Sequence, residues 1–230
     1  MAKVVQTLER AFNMIEIMGN ADYHLGISEI SQRSELPLAT THRILATLVQ
    51  LGYVEQNPET SKYTLGVRIL QLRGAVISQL NLAVVAMPIM KMLMNRVEET
   101  VHLAVYNEGE IVYIERVEGL RTQGMYTRIG KRASAHCTAL GKALLSYIPE
   151  SLWFDDVVNK RGLKAYSETT ITSFDVLKLD LQRTKERGYA IDNGETGENV
   201  RCVAAPIRDY TSQAVAAISI SGPQDQVTLD

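Results

Sequence analysis

Two groups of residues in this chain have types and spacings that can do chemistry. The first is Ala39-Thr40-Thr41-His42-Arg43, which opens an apolar-periodic run from Pro37 to Leu51 containing Arg43 and no acidic residue. Small side chains let a helix end come close to another surface. Hydroxyls with one guanidinium suit phosphates and base edges. The second group is dispersed: Ala135 to Lys142, Asp192, Cys202, and the alternating pair Ser219 and Ser221. Residues two apart on a strand share a face, and a helix start exposes N–H groups that favour an anion. A few such donors inside an apolar cup are what a small anionic ligand needs.

The elements that must position the first group can be read directly. Leu25 to Leu65 contains two short helical patterns, a tight turn and a hairpin-like segment, the order of a winged helix-turn-helix. Ser28 can cap the first helix, and Ile27 and Ile30 give it an inward face. Ser34-Glu35-Leu36 fits the turn, and Pro37 suits a first helical position. Leu38, Ile44, Leu45, Leu48 and Leu51 follow the helical period and predict a buried side. Gly52 stops the helix. Tyr53-Val54-Glu55 and Lys62-Tyr63-Thr64-Leu65 read as strands joined by a turn-rich wing tip. In front of this motif, Val5, Leu8, Phe12 and Ile15 predict the inward face of a helix over residues 3–18. The candidate DNA-contacting set is Ser28, Gln32, Arg33, Leu38, Ala39, Thr40, Thr41, His42, Arg43 and Lys62. Residues 1–66 hold five basic and seven acidic side chains, a net charge of −2. Modest affinity per module is therefore expected, with dimerisation supplying the rest and a pseudo-palindromic operator as its consequence.

The 230 residues suit two domains. Hydrophobic content of 46%, charge of 22% and a net charge of −2 are those of a globular chain without a polybasic coat. The longest apolar stretch, Leu80 to Met94, is interrupted by Pro88 and Lys91, so no membrane span is expected. No secretory pattern opens the chain. Cys137 and Cys202 are far apart and lack metal-site spacing, so a reducing, cytoplasmic setting is expected, with no metal and no cofactor.

Beyond the wing, Gly66 to Gln79 reads as a connector helix. Asn81 to Val97 reads as a second helical stretch, with Pro88 starting or kinking a helix and Met87, Met90, Met92 and Met94 filling packing gaps or a dimer seam. Thr100 to Asn107 and Glu110 to Val117 read as a hairpin turning at Glu108-Gly109. Gln123 to Ile129 is a candidate third strand. Thr138 to Tyr147 and Ser173 to Arg187 are helical, the latter capped by Ser173 with Leu177, Leu181 and Thr184 on one face. Tyr189 to Ile191, Arg201 to Ile207 and Ala214 to Ser221 complete an α+β unit with a mainly antiparallel sheet.

Four blocks carry a resemblance over essentially the whole chain: ETVHLAVYNEGEIVYIERVEG (99–119), AHCTALGKALLS (135–146), RGYAIDNGETGENVRCVAAPIRD (187–209) and AAISISGP (216–223). In order and spacing they are similar to the effector domain of the IclR family of bacterial transcriptional regulators. The resemblance implies a two-domain chain: a mainly α winged helix-turn-helix over 1–66, a connector helix over 67–80, and a GAF-like α+β domain over 81–230. It implies a regulator of transcription rather than an enzyme, with repression the expected mode. The partners implied are double-stranded DNA and a small carboxylic acid or aromatic catabolite, bound by a homodimer that can pair into a dimer of dimers. It further implies effector contacts at Thr122, Met125, Ala139, Leu140, Asp192, Cys202, Ser219 and Ser221. A further helix usually follows the SGP strand in this family, whereas this sequence ends at Asp230, seven residues after Pro223.

Each pocket residue has a plainer role open to it. Asp192 also suits fixing the Asn193-Gly194 turn, and His136 fixing a loop. Lys142 suits a solvated position on the helix or pairing with Glu195, and Glu195 and Glu198 flank a loop in which Gly194 and Gly197 are expected at unusual backbone angles. The alternative to an effector site is thiol chemistry: a redox sensor at Cys202, or an enzyme using His136, Cys137, Cys202 and Glu195. Either needs a low-pKa thiolate, and the apolar neighbours Val203, Ala204 and Ala205 argue for a buried thiol instead.

Overall fold

The computed structural model describes residues 5–21, 23–72, 82–119, 127–197 and 199–228. The chain divides into two compact units, Met1–Leu80 and Asn81–Asp230. In the first, α1 (Gln6–Gly19), α2 (Ile27–Arg33) and α3 (Leu38–Gln50) precede an antiparallel ribbon of β1 (Val54–Gln56) and β2 (Tyr63–Leu65). One apolar cluster holds them: Met14, Met18, Leu25, Ile30, Ile44, Leu45, Leu48, Val54 and Tyr63. Each such side chain removed from water contributes roughly 1.5–3 kcal/mol. Leu25 and Tyr63 exchange backbone hydrogen bonds of 3.1 and 2.8 Å, tying the wing to the segment before α2. At the wing tip, Asn57 Oδ1 accepts from the Glu59 and Thr60 amides at 2.9 Å.

Several expectations for this unit are corrected. The core face of α1 is Met14 and Met18, with Ala11 and Ile15 partly buried beside them. Val5, Leu8 and Phe12 are 60%, 57% and 63% exposed. The helix carries two adjacent apolar stripes, and periodicity does not say which one meets the core. Leu38 opens α3 and Leu51 follows its last residue, and both are exposed. Ser28 is not a cap. The residue before α2 is Gly26, whose N–H donates to the Glu29 carboxylate at 2.8 Å, a role that Ser28, already inside the first turn, cannot take. Pro37 flanks α3 with extended backbone (ψ 142°) rather than opening it.

The second unit contains α4 (Leu82–Val97), β3 (Thr100–Asn107), β4 (Glu110–Val117), β5 (Arg132–Ser134), α5 (Ala139–Leu145) and α6 (Glu150–Phe154). A single π-helical turn, Asp155–Lys160, follows, then α7 (Phe174–Arg187), β6 (Ala190–Asn193), β7 (Val200–Arg208) and β8 (Ala214–Pro223). The strands form one antiparallel sheet in the order β5-β4-β3-β8-β7-β6. A run of alanines, Ala104, Ala204 and Ala217, lines one sheet face and shares a buried cluster with Ala139, Leu140, Ala143 and Leu144 of α5 and Leu177 and Leu181 of α7. Ala83, Ala86 and Met90 are the buried residues of α4, which packs on β3 and β4. Met92 is 66% exposed, so it fills no packing gap within this chain. Pro88 lies within a helix that runs on past it.

The third strand is β5, not Gln123 to Ile129. Residues 127–129 are not strand, and 123–126 lie outside the described residues. Ser173 precedes α7 without a side-chain cap. The connector is helical over residues 68–72, and 73–80 lie outside the described residues. Among the described residues no helix is long and apolar enough to cross a membrane.

The tightest approach near the alanine face is at Gly141 of α5, where an added Cβ would lie 2.2 Å from the Ala135 carbonyl oxygen. Backbone cannot yield there as a flexible side chain would. Gly141→Ala is therefore expected to destabilise the second unit by about 1–3 kcal/mol, read as a shifted urea midpoint with an unchanged slope.

Candidate nucleic-acid interface and ligand pocket

The exposed side of α3 consists of Leu38, Ala39, His42, Arg43, Ala46, Thr47, Val49 and Gln50, with Thr40 half-buried. Its cation is Arg43, and it carries no acid. Thr41 departs from the expected contact set. It is fully buried, and its hydroxyl donates to the Pro37 carbonyl at 3.2 Å. A threonine on the first turn of a helix bonds back onto the free carbonyl before it, and here that bond points the side chain inward. Ser28, Gln32, Arg33 and Lys62 are exposed. Arg33 is held by Tyr23: its Nη2 donates to the phenol oxygen at 2.9 Å, and the guanidinium sits 5.9 Å from the ring centre. Tyr23 was not singled out by the sequence, because it lies in the irregular segment before α2, ten residues from Arg33 at the far end of that helix.

In the second unit, Ala139, Leu140, Asp192, Cys202, Ser219 and Ser221 line one cavity of about 460 Å³. Thr122 and Met125 lie outside the described residues. The strand register explains the convergence. His102 of β3 is the cross-strand partner of Ser219 on β8, and in the adjacent row Ser221 of β8 pairs with Cys202 of β7, which pairs with Asp192 of β6, so two neighbouring rows on the sheet carry these residues. His102 and Tyr113 also line the cavity, with rings 5.3 Å apart in an edge contact. Both were missed in the sequence. The pairing of β3 with β8 is non-local, and Tyr113 reaches this face because β4 shifts register opposite Leu103 and Ala104.

Thr138 begins α5 and accepts from the Gly141 amide at 3.1 Å. Asp192 fixes its turn as well as lining the cavity: it accepts from the Glu195 amide at 2.7 Å and the Thr196 hydroxyl at 2.8 Å. Burial raises its pKa, and those two hydrogen bonds oppose the rise. Lys142 does not line the cavity. It is buried on α5 in ion pairs with Glu195 and, at 3.0 Å, with Asp180. Burial raises the Glu195 pKa, and the neighbouring Lys142 charge pulls it down. His136 Nε2 lies 3.1 Å from the Lys164 carbonyl, which is the loop-fixing arrangement. Gly194 has φ 79°, whereas Gly197 is not among the positive-φ glycines, so only Gly194 meets that expectation. Glu198 lies outside the described residues.

The thiols are unsuited to redox or nucleophilic work. Burial, then the Asp192 charge, pushes the thiols of both Cys202 and Cys137 up to about 12. Reactivity follows the thiolate, which these sites suppress.

A three-helix winged unit and an α+β unit with a cavity are the two parts expected of a transcription regulator that carries a DNA-binding module and a sensor domain. Two family models divide the chain between them: the IclR helix-turn-helix domain over residues 7–58 and the bacterial transcriptional regulator IclR C-terminal domain over residues 74–230. The regulator XynR of Escherichia coli K12 is 33% identical over 95% of this chain and 86% of its own length. The transcriptional repressor IclR of the same organism is 33% identical over 98% and 83%. The solved structure of an IclR homologue complexed with 4-hydroxybenzoate, from Microbacterium hydrocarbonoxydans, superposes with a TM-score of 0.83 at 27% identity, covering 96% of this chain and 91% of that one. The chain belongs to the IclR family; it is a DNA-binding transcriptional regulator and not an enzyme.

Two outcomes follow from the buried groups. Alkylation of Cys137 and Cys202 by iodoacetamide at pH 8 will run at least about a hundredfold slower in the native protein than in denaturant, as followed by mass spectrometry. Lys142→Met, which leaves Glu195 and Asp180 without their cation, will cost about 3–5 kcal/mol of stability in denaturant unfolding.

Proposed function

We propose that this protein is an effector-controlled repressor that binds a pseudo-palindromic operator as a homodimer and senses a small organic acid or aromatic catabolite in the cavity of its second unit. The observation that carries the reading is the acid-free exposed start of α3, with Ala39, Thr40, His42 and Arg43 presented together. On this reading Arg43 holds a guanine edge or a phosphate. Thr40 meets a phosphate or a thymine methyl, and Gln32, Arg33 and Lys62 meet the backbone. Thr41 is left out, because its side chain is buried.

The dimer is supported by the exposed apolar stripe of Val5, Leu8 and Phe12 on α1. Side chains of that size rarely stay wet together on a monomer. A two-fold pair of modules also offsets the weak non-specific attraction of a unit with net charge −2. Pairing of dimers through the second unit is the higher assembly implied by family membership. The 4-hydroxybenzoate bound by the Microbacterium relative supports an acid effector. A cytoplasmic location follows from DNA as partner. The effector acts by binding one arrangement of the DNA-binding units better than another, and its differential affinity sets the size of the response.

Selection of bound sequences from random duplex DNA by the purified protein, followed by a salt titration, tests this reading. An inverted repeat is expected, with Arg43→Ala weakening binding about 10- to 100-fold. Enrichment of no motif at low salt, or of a motif without two-fold symmetry, rejects the dimeric operator.

A further inference from the structure

The polar groups at the buried end of the cavity are incompletely satisfied. His102 is 2% exposed and Ser219 is 2% exposed, yet among the described residues His102 Nε2 and Ser219 Oγ have no hydrogen-bond partner. They are cross-strand partners on β3 and β8, and both line the cavity. Directly opposed residues on one sheet face have Cβ atoms roughly 4.5–5.5 Å apart, so the two side chains stand next to one another on the cavity wall. The other ring nitrogen of His102 is already engaged, 3.4 Å from the Ser221 hydroxyl. A buried donor or acceptor left unpaired is costly, and two of them side by side in a ligand-sized space mark where a ligand atom belongs.

We propose that His102 and Ser219 form a hydroxyl-binding subsite, so that the effector is a hydroxy-carboxylic acid held with its hydroxyl inward and its carboxylate toward the exposed Lys131 and Arg132 at the cavity rim. The proposal rests on the acid-effector reading above and adds the second functional group and the orientation. The charges decide the direction. Of the cavity's acids, Asp192 is buried and Glu110 is paired with Arg132, while both lining cations, Lys131 and Arg132, are exposed. A carboxylate at the buried end would lose its water beside Asp192, and the cation whose charge reaches His102, Arg116, is already paired with Glu118 at 2.6 Å. A hydroxyl carries no charge and both donates and accepts, so it satisfies Ser219 and either tautomer of His102. Burial and the Arg116 charge lower the His102 pKa to about 4, so the ring is neutral near pH 7 and offers no positive charge to an anion.

Calorimetric titration of the full chain with two series of acids tests this. One series is phenylacetate with its 4-hydroxy and 4-methoxy derivatives, and the other is butyrate with 4-hydroxybutyrate. The hydroxy acid of one series is expected to bind about tenfold or more tighter than its parent, and which series does so distinguishes a phenolic from an aliphatic effector. In Ser219→Ala and in His102→Leu that ratio falls to within about threefold of one, a readout that a merely structural defect does not move. Binding of the parent acids with no hydroxyl preference, or a preference unchanged in both variants, overturns the subsite. Binding of no acid in either series overturns the acid-effector reading, and the subsite with it.

Discussion

A buried cation sets the geometry of the second unit. Lys142 sits on a seven-residue helix with its side chain 2% exposed, and its ammonium is neutralised by Glu195 from the loop after β6 and Asp180 from α7. A charge that deep persists only where partners replace its water, so the three segments must come together for the chain to fold. Glu195 is then a junction. Its amide donates to Asp192, its carbonyl accepts from the Thr170 hydroxyl at 2.6 Å, and its carboxylate meets Lys142. The residue that places Asp192 in the cavity wall is thus the same one that holds α5 against its surroundings.

Side-chain size does the complementary work. Ala104, Ala204 and Ala217 make the sheet face flat where α5 lies on it, and Gly141 lets that helix meet the Ala135 backbone. Where the same sheet face carries Ser219, Ser221, Cys202 and His102 instead, a cavity remains. One face therefore changes along its strands from a packed apolar floor to a polar recess. Function lives in that change of residue type, while the strand ladder is continuous through both parts.

The first unit is organised by the converse rule. A single apolar cluster is enough for three short helices and a ribbon, and what is left outside it is informative. The stripe of Val5, Leu8 and Phe12 and the polar start of α3 are surfaces that intramolecular packing does not consume. The first is apolar and suits a protein partner. The second is small, polar and free of acid, and suits a nucleic acid.

Much of this was legible in the residues. The helix-turn-helix order, the hairpin at Glu108-Gly109 and the faces of α2 and α7 all follow from local periodicity or turn chemistry. Local signals fail where two solutions are locally equivalent. Both stripes of α1 satisfy a helical period. Thr41 is as polar as Thr40 until a carbonyl four residues back claims its hydroxyl. Ser28 is a better cap by type than Gly26, yet the backbone starts the helix elsewhere. By itself the sequence determined most of the elements, the family and the chemical types available, because these depend largely on neighbours within a few turns of chain. Only the tertiary structure decided which helix face is covered, that His102 stands beside Ser219, and that a register shift in β4 carries Tyr113 to the cavity, because strand pairing across 119 residues is set by the whole sheet and leaves no local trace.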